Sequence, residues 1–254
     1  MIVLLQREYS PEIFKGFLVT CGATYLMCCI GALLFFIIGK AMKMQPKELG
    51  LFSGGGVYSN VIFMGQPLIM AMYGAEGLIF CVAVMFTCNV FLFTVCSVLF
   101  AMGSDLKKSA GQMLKDAFIN LICLSAIIGV FCFVNSISLP QPIFDVLQYS
   151  ANTTVCLSMI YIGSLLAAAK VREIFKDKIV YIFSFFTLII MPIISKLICG
   201  IFMDGMALSV LVVLMGTPAA AALPSFADLY GNDEKRASEY AFVSTILSVI
   251  TLPL

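Results

Sequence analysis

The 254-residue sequence contains no histidine and no tryptophan, and only 11% of its residues are charged. Without histidine, the chain lacks the side chain that most often acts as a proton relay, a catalytic base or a metal ligand. Its ten cysteines form no CxxC pair, so they predict neither a zinc site nor redox chemistry. No nucleophile elbow is present either. We therefore predict a protein that is not an enzyme and that holds no metal and no cofactor.

Apolar residues are abundant instead, at 61% of the chain, with a mean hydropathy of +1.07. A helix needs about 20 mostly apolar residues to cross a bilayer. Eight segments are long enough: 14–39, 48–73, 77–102, 114–134, 146–169, 179–202, 207–229 and 238–254. Together they use most of the chain. The sequence therefore predicts an all-α, multi-pass membrane protein with no soluble domain.

Lysine and arginine cluster in alternate loops between these segments. The basic loops carry Lys40, Lys43 and Lys47; Lys107, Lys108 and Lys115; Lys170, Arg172, Lys176 and Lys178; and Lys235 and Arg236. The loops near 74–76, 135–145 and 203–206 contain no lysine or arginine. Eight spans place all the basic loops on one side, which the positive-inside rule identifies as cytoplasmic. We predict the cytoplasmic membrane as the location, and no nucleic-acid partner.

Two apolar stretches, 60–74 and 217–231, are interrupted by proline, glycine or small polar residues. A broken helix in lipid leaves backbone N–H and C=O groups without partners, which is costly unless something meets them. Breaks at corresponding positions in two halves of a chain indicate the binding site of a transporter. The two interruptions therefore predict a transporter rather than a structural bundle.

The two stretches correspond to one another in an internal repeat. Sliding the chain against itself places Pro67 on Pro224 and the pair Tyr73-Gly74 on Tyr230-Gly231. Because the two copies face opposite sides of the membrane, they predict an inverted repeat. We expect one transmembrane domain over 1–254, with a first repeat at 1–102 and a second at 114–254.

The first repeat is expected to be incomplete. Spans 114–134 and 146–169 open the second repeat, and their counterparts would precede residue 14, where Met1-Ile-Val-Leu-Leu5 is too short to be a span. The sequence therefore predicts a chain that lacks about two N-terminal helices.

Both stretches resemble motifs of the auxin efflux carrier family of permeases. The first resemblance rests on Gly54-Gly55-Gly56, Asn60, Gly65-Gln66-Pro67 and Tyr73-Gly74, and the second on Pro218, Tyr230-Gly231 and Ser244-Thr245. This resemblance implies a fold of ten spans in two inverted repeats, with two broken helices that cross at mid-membrane. Eight of those ten spans are present here. Where the family often carries Asn or Thr after the first proline of the second break, residues 219–222 are all alanine.

The motifs and the breaks select a set of candidate substrate-binding residues. They are Asn60, Gln66, Pro67, Asn89, Pro218, Pro224, Ser225 and Thr245. Asn60 and Gln66 are expected to hydrogen-bond the substrate, and the three prolines to interrupt the helices. Asn89 is equally consistent with helix packing. Pro192 is interpreted as an ordinary kink, and Gly54-Gly55-Gly56 as a site of close helix packing.

The predicted function is secondary transport of a small organic anion, such as a carboxylate, by alternating access. Half-helix N-termini carry partial positive charge, which attracts an anion. The alternatives are an ion channel that uses the same breaks, or a non-functional fragment of such a permease. The expected partners are the substrate and the lipid bilayer. The coupling ion, the direction of transport and a homodimeric assembly stay open.

Overall fold

The computed structural model describes residues 10–103, 119, 121–135, 137, 140–168 and 177–253. These residues form nine helices. They are α1 (Pro11–Ala41), α2 (Pro46–Val57), α3 (Val61–Phe100), α4 (Leu121–Val134), α5 (Gln141–Ala168), α6 (Lys178–Cys199), α7 (Gly205–Met215), α8 (Leu223–Leu229) and α9 (Glu234–Thr251). Within the described ranges, α1, α3 and α6 are each long and apolar enough to cross a membrane. The predicted all-helical membrane fold is confirmed.

The helix bounds follow the predicted spans to within a few residues. Two spans appear as pairs of shorter helices: 48–73 is α2 plus the start of α3, and 207–229 is α7 plus α8. The predicted remnant at Met1–Leu5 and most of the basic loops at 104–118 and 169–176 lie outside the described residues.

Gly74 ends the first broken helix by turning the chain inside α3. Its backbone has φ 61° and ψ −154°, so the residues before and after it form two helical segments joined at a kink. Gly231, its counterpart in the repeat, also has a positive φ of 67°. A side chain with a Cβ is strained in this region, so glycine suits both positions. The repeat itself stays a prediction.

An aromatic cluster joins four helices in the core. Phe35 of α1 lies 5.3 Å from Phe52 of α2 and 5.6 Å from Phe183 of α6, measured between ring centroids. Phe183 stacks on Tyr240 of α9 at 4.2 Å. All four rings are fully buried. Aromatic contacts of this kind contribute about 0.5–1.5 kcal/mol each beyond area burial.

Glycines let α2 approach three neighbours closely. A Cβ placed on Gly54 would lie 2.6 Å from the Phe100 ring, one on Gly55 would lie 3.0 Å from Leu223, and one on Gly56 would lie 2.6 Å from the Phe35 ring. The triple glycine is therefore a packing surface, as predicted from its position in an apolar helix.

Arg236 brings the starts of α2, α6 and α9 together at one end of the bundle. It pairs with Asp177, with Glu239 at 3.2 Å and with Glu48 at 3.6 Å. Asp177 also caps α6, because its Oδ1 accepts a hydrogen bond from the Ile179 N–H at 2.8 Å. Since these helices begin after the basic loops, this end is the one predicted to face the cytoplasm.

The helices α4 and α5 lie at the side of the bundle. Phe133 of α4 packs in a small cluster with Phe17, Ile79 and Ala83. The helix α5 contacts the first turn of α3, Val61–Gly65. Both carry exposed apolar side chains, such as Phe131 and Val146, which suit contact with lipid.

Candidate substrate site

The two breaks in the helices meet and pair through their backbones. Residues 58–60 separate α2 from α3, and residues 216–222 separate α7 from α8. Ser59 and Ala219 form an antiparallel β-bridge. The Asn60 N–H donates to Pro218 O at 2.8 Å, and the Ala220 N–H donates to Tyr58 O at 2.7 Å. The predicted crossing of two broken helices is therefore confirmed.

This pairing supplies hydrogen-bond partners for backbone N–H and C=O groups that the two breaks expose. The sequence-based interpretation assigned them to the solute. Instead, four of these groups satisfy one another across the crossing, because unpaired backbone groups in lipid are costly. These four backbone groups are therefore already paired within the protein.

Asn60 is at the centre of the first break. Its backbone angles, φ −79° and ψ 55°, and the 2.9 Å hydrogen bond from the Val61 N–H to Ser59 O describe an inverse γ-turn. Its carbonyl accepts hydrogen bonds from the N–H groups of Met64 and Gly65, at 3.3 and 3.0 Å, which start α3. The side chain is only 3% exposed, and its Nδ2 has no hydrogen-bond partner among the described residues.

A small cavity lies beside the crossing and includes Asn60 in its wall. Its volume is about 30 Å³, which is room for about two water molecules. The lining residues that the structure describes are Tyr58, Ser59, Asn60, Val61, Ile62, Phe63, Met85, Cys88, Asn89, Ala220, Ala221 and Ala222. The cavity thus draws its wall from both breaks and from the part of α3 that follows Gly74.

Ser244 of α9 holds the second break in place. Its Oγ accepts a hydrogen bond from the Ala219 N–H at 3.1 Å and donates one to Tyr240 O at 2.6 Å. Ser248, one turn later, contacts the Met64 sulfur of the first broken helix at 3.7 Å. The helix α9 therefore contacts both the second break, through Ser244, and the first broken helix, through Ser248.

The two broken helices also pack closely beside the crossing, where the first turn of α3 meets the end of α7. A Cβ on Gly65 would lie 2.5 Å from the Leu214 side chain of α7. Thr217 is fully buried, and its hydroxyl donates to Leu214 O at 2.7 Å, which closes the end of α7. Small residues and internal hydrogen bonds thus allow the backbones to cross.

Three of the predicted site residues meet at the crossing. Asn60 and Asn89 both line the cavity, and Pro218 contributes its carbonyl to the backbone pairing. Asn89 is 6% exposed and donates from its Nδ2 to Met85 O of its own helix at 2.8 Å. Its role in substrate contact stays a prediction.

The other predicted residues lie outside the described lining. Gln66 and Pro67 follow the π-helical turn Val61–Gly65 inside a continuous helix, so the break precedes them. Pro192 likewise follows a π-helical turn, Phe186–Ile190, so Pro67 and Pro192 occupy similar places. A proline inside a helix removes a backbone donor, and the wider turn accommodates that loss.

In the second half, Pro224 and Ser225 lie in the first turn of α8, after the break rather than in it, and Ser225 is exposed. The hydroxyl of Thr245 bonds to Ala241 O of its own helix at 2.7 Å. The adjacent Ser244 faces the crossing instead. Residues on a helix point in different directions when they are adjacent, so a motif alone does not tell which of the two hydroxyls reaches the break.

Sequence reasoning missed several residues of the wall: Tyr58, Ser59, Met85 and Cys88. Tyr58 and Ser59 immediately precede Asn60, and their polar side chains at a break were an available signal. Met85 and Cys88 lie one turn or less from Asn89 on the same helix, so the helical period could have placed them together.

Comparison with known proteins gives the family. The sequence matches the family described as "Membrane transport protein" over residues 1–254. This chain belongs to that family. The prediction made from the two broken-helix motifs, of an auxin efflux carrier family permease, is thereby confirmed. The predicted loss of two N-terminal helices stays a prediction.

Two curated relatives are similar to the chain over most of its length. One, an uncharacterized transporter from Methanocaldococcus jannaschii, is 27% identical over 261 residues, covering 100% of this chain and 83% of the relative. The other, from Rhizobium meliloti, is named "Putative malonate transporter" and is 26% identical over 264 residues, covering 98% of this chain and 79% of the relative. Membership and relatives together show a multi-pass membrane transport protein.

Proposed function

We propose that this chain carries out secondary transport of a small organic anion, such as a carboxylate, across the cytoplasmic membrane. The observation that carries the proposal is the buried Asn60 amide at the crossing, whose Nδ2 has no partner among the described residues. A buried donor without a partner costs about 1–3 kcal/mol. A solute carboxylate that accepts from this amide would remove that cost.

The electrostatics of the first break favour an anion. The helix α3 begins at Val61, directly at the crossing, and its N-terminal end carries partial positive charge. The Asn60 side chain lies at this same end. A carboxylate bound here would meet an amide donor and the positive end of a helix dipole together, which is the usual arrangement of anion sites at helix N-termini.

The proposed mechanism is alternating access. The bundle that holds the two breaks would move against α4 and α5, and the cavity would open to each side in turn. The contact between α5 and Val61–Gly65 lies where such a movement would change the exposure of the site. Asn60 and Asn89 would hydrogen-bond the substrate, and the crossing would keep them in place. The chain would perform no chemical conversion.

Uptake into proteoliposomes tests this function. Malonate is the first compound to examine, because one relative's name contains it, followed by a panel of other radiolabelled organic acids. We expect saturable uptake and accelerated exchange when the same anion is present inside the vesicles. Non-saturable, unselective flux would favour a channel, and no protein-dependent flux for any acid would contradict the proposal.

A further inference from the structure

Pro67 leaves one backbone carbonyl of α3 without its helical donor. In the π-helical turn before it, the Gln66 N–H donates to Val61 O, five residues back. The next acceptor in this register is Ile62 O, and its donor would be residue 67. Proline has no backbone N–H, so this bond cannot form. The wider turn makes room for the proline ring, but it supplies no other donor.

Ile62 belongs to the wall of the crossing cavity and is only partly buried. Among the described residues, no backbone N–H of a turn or loop donates to its carbonyl. A carbonyl inside a protein that lacks a donor is costly unless water or a solute meets it. The wall therefore offers an acceptor at Ile62, two residues after the unpaired Asn60 Nδ2 donor.

The same backbone pattern occurs at Pro192, away from this wall. The Met191 N–H donates to Phe186 O, so Pro192 deprives the next carbonyl, Thr187 O, of its donor. Thr187 is only 1% exposed, and neither Thr187 nor Pro192 belongs to the described lining. The two prolines thus make equivalent gaps in helical hydrogen bonding, and the gap at Pro67 is the one at the cavity.

We infer that Pro67 is a specificity-determining residue, because it leaves the Ile62 carbonyl free to accept a hydrogen bond from a hydroxyl group of the solute. This inference rests on the proposed function. The preferred solute is an organic anion with a hydroxyl close to its carboxylate, such as a 2-hydroxy acid. Its carboxylate accepts from the Asn60 amide, and its hydroxyl donates to Ile62 O.

The discrimination follows from what meets the carbonyl before and after the solute enters. The cavity of about 30 Å³ has room for about two water molecules, so water can pair with Ile62 O in the unloaded protein. A solute hydroxyl that displaces this water reproduces its hydrogen bond, whereas a methylene group does not. The Tyr58 and Ser59 hydroxyls also belong to the wall, but their contribution does not depend on Pro67.

Calorimetry on the purified protein tests the inference with pairs of acids that differ by one hydroxyl. Lactate is compared with propionate, and hydroxymalonate with malonate. The members of each pair have equal carbon number and equal charge at pH 7, so their difference reports on the hydroxyl. We expect the hydroxylated acid to bind roughly three- to tenfold more tightly in both pairs, the effect of one hydrogen bond of ordinary net strength.

Two proline variants test the physical reason. Pro67→Ala restores the N–H that pairs with Ile62 O, so we expect the lactate-to-propionate binding ratio to fall at least about threefold. Pro192→Ala restores the same kind of N–H away from the cavity, and we expect no change in the ratio there. Thermal unfolding shows whether each variant is folded. Pro67→Leu restores the same N–H and replaces Pro67→Ala if that variant is unfolded.

The outcomes separate the two proposals. Equal binding of hydroxylated and plain acids by the wild-type protein would overturn the inference and leave organic-anion transport intact. An unchanged ratio in a folded Pro67 variant would also overturn it. Binding of none of these acids, together with no protein-dependent uptake from the wider panel, would overturn both.

Discussion

Asn60 combines two tasks within one residue. Its backbone N–H and C=O groups join the first break to Pro218 and to the first turn of α3, and the residue lines the cavity. An asparagine suits this place because it adopts turn conformations readily and carries a neutral amide. A charged side chain at this depth would be much more costly.

Gly56→Ala should destabilise the protein. The new methyl group would lie 2.6 Å from the ring of Phe35, which is fully buried and held by other rings. Overpacking of this kind costs about 1–3 kcal/mol, more than the gain of about 1 kcal/mol from replacing a helical glycine. Thermal unfolding in detergent micelles measures the effect. Gly22→Ala is the control, since nothing lies within 4 Å of its Cβ position, and we expect no loss there. Equal unfolding temperatures for the two variants would contradict the packing argument.

Ser244→Ala should weaken the crossing. It removes the acceptor of the Ala219 N–H, and a buried donor left unpaired costs about 1–3 kcal/mol. Ser195→Ala is the matched control, because Ser195 is also fully buried but bonds only to Met191 O of its own helix. Unfolding of both variants in micelles, together with their uptake rates, gives the comparison. If the two serines proved equally dispensable, Ser244 would have no role in holding the break.

At the scale of helices, the crossing is a two-residue piece of antiparallel sheet inside a helical bundle. Ser59 and Ala219 are a non-hydrogen-bonded pair, since the hydrogen bonds run through the residues on either side. Such pairs have Cα atoms about 4.5 Å apart, which is within the range that a disulfide spans.

The double variant Ser59→Cys with Ala219→Cys should therefore form a disulfide under mild oxidation in proteoliposomes. Peptide mass spectrometry identifies the cross-linked pair despite the native cysteines. Ser53→Cys with Ala219→Cys is the control, because Ser53 lies roughly 9 Å further along α2 at 1.5 Å per residue. Absence of the 59–219 cross-link would show that the breaks do not meet in the membrane.

The ion pairs at the predicted cytoplasmic end should make the folding stability fall at acidic pH. Partial burial raises the pKa of Asp177, but hydrogen bonds from Arg236 and from the Ile179 N–H outweigh this and hold the pKa below its usual value of 3.8. A carboxyl group whose pKa is lower in the folded than in the unfolded state stabilises the fold at every pH above its unfolded-state pKa. This stabilisation is lost as the pH falls from the unfolded-state pKa through the folded-state pKa.

Asp177→Asn should lower the unfolding temperature at pH 7, and its unfolding temperature should fall less than that of wild type as the pH drops below about 5. Glu48 and Glu239 also face Arg236, so part of the acid dependence will remain. Asp204→Asn is the control, since Asp204 is exposed and its side chain makes no cap bond. If the unfolding temperatures of wild type and Asp177→Asn changed by the same amount with pH, Asp177 would have no part in the acid dependence.

At the scale of the whole molecule, hydropathy predicted the all-helical membrane fold and the order of its apolar segments. Long apolar segments are an unambiguous signal, because lipid admits no alternative to helices in this setting. Asn60 and Pro218 were also accessible from the sequence, since polar residues and prolines in apolar segments mark breaks.

The details of the site were not accessible in this way. The sequence placed the first interruption within 60–74 and expected Pro67 to take part in it, whereas the chain breaks at 58–60 and passes Pro67 by means of a π-helical turn. The mutual pairing of the breaks and the choice of Ser244 over Thr245 depend on contacts between residues far apart in sequence. Local patterns carry no information on such pairing.

The most direct test of the account is the uptake kinetics of Asn60→Ala in proteoliposomes, with Asn135→Ala as a control in an exposed position. Loss of a hydrogen bond to a charged group costs about 1.5–3 kcal/mol, or roughly a 10- to 150-fold loss of transport efficiency. We predict that loss for Asn60→Ala, with no change for Asn135→Ala and with both variants folded. Unchanged uptake by a folded Asn60→Ala protein would contradict the claim that solute binds at the crossing.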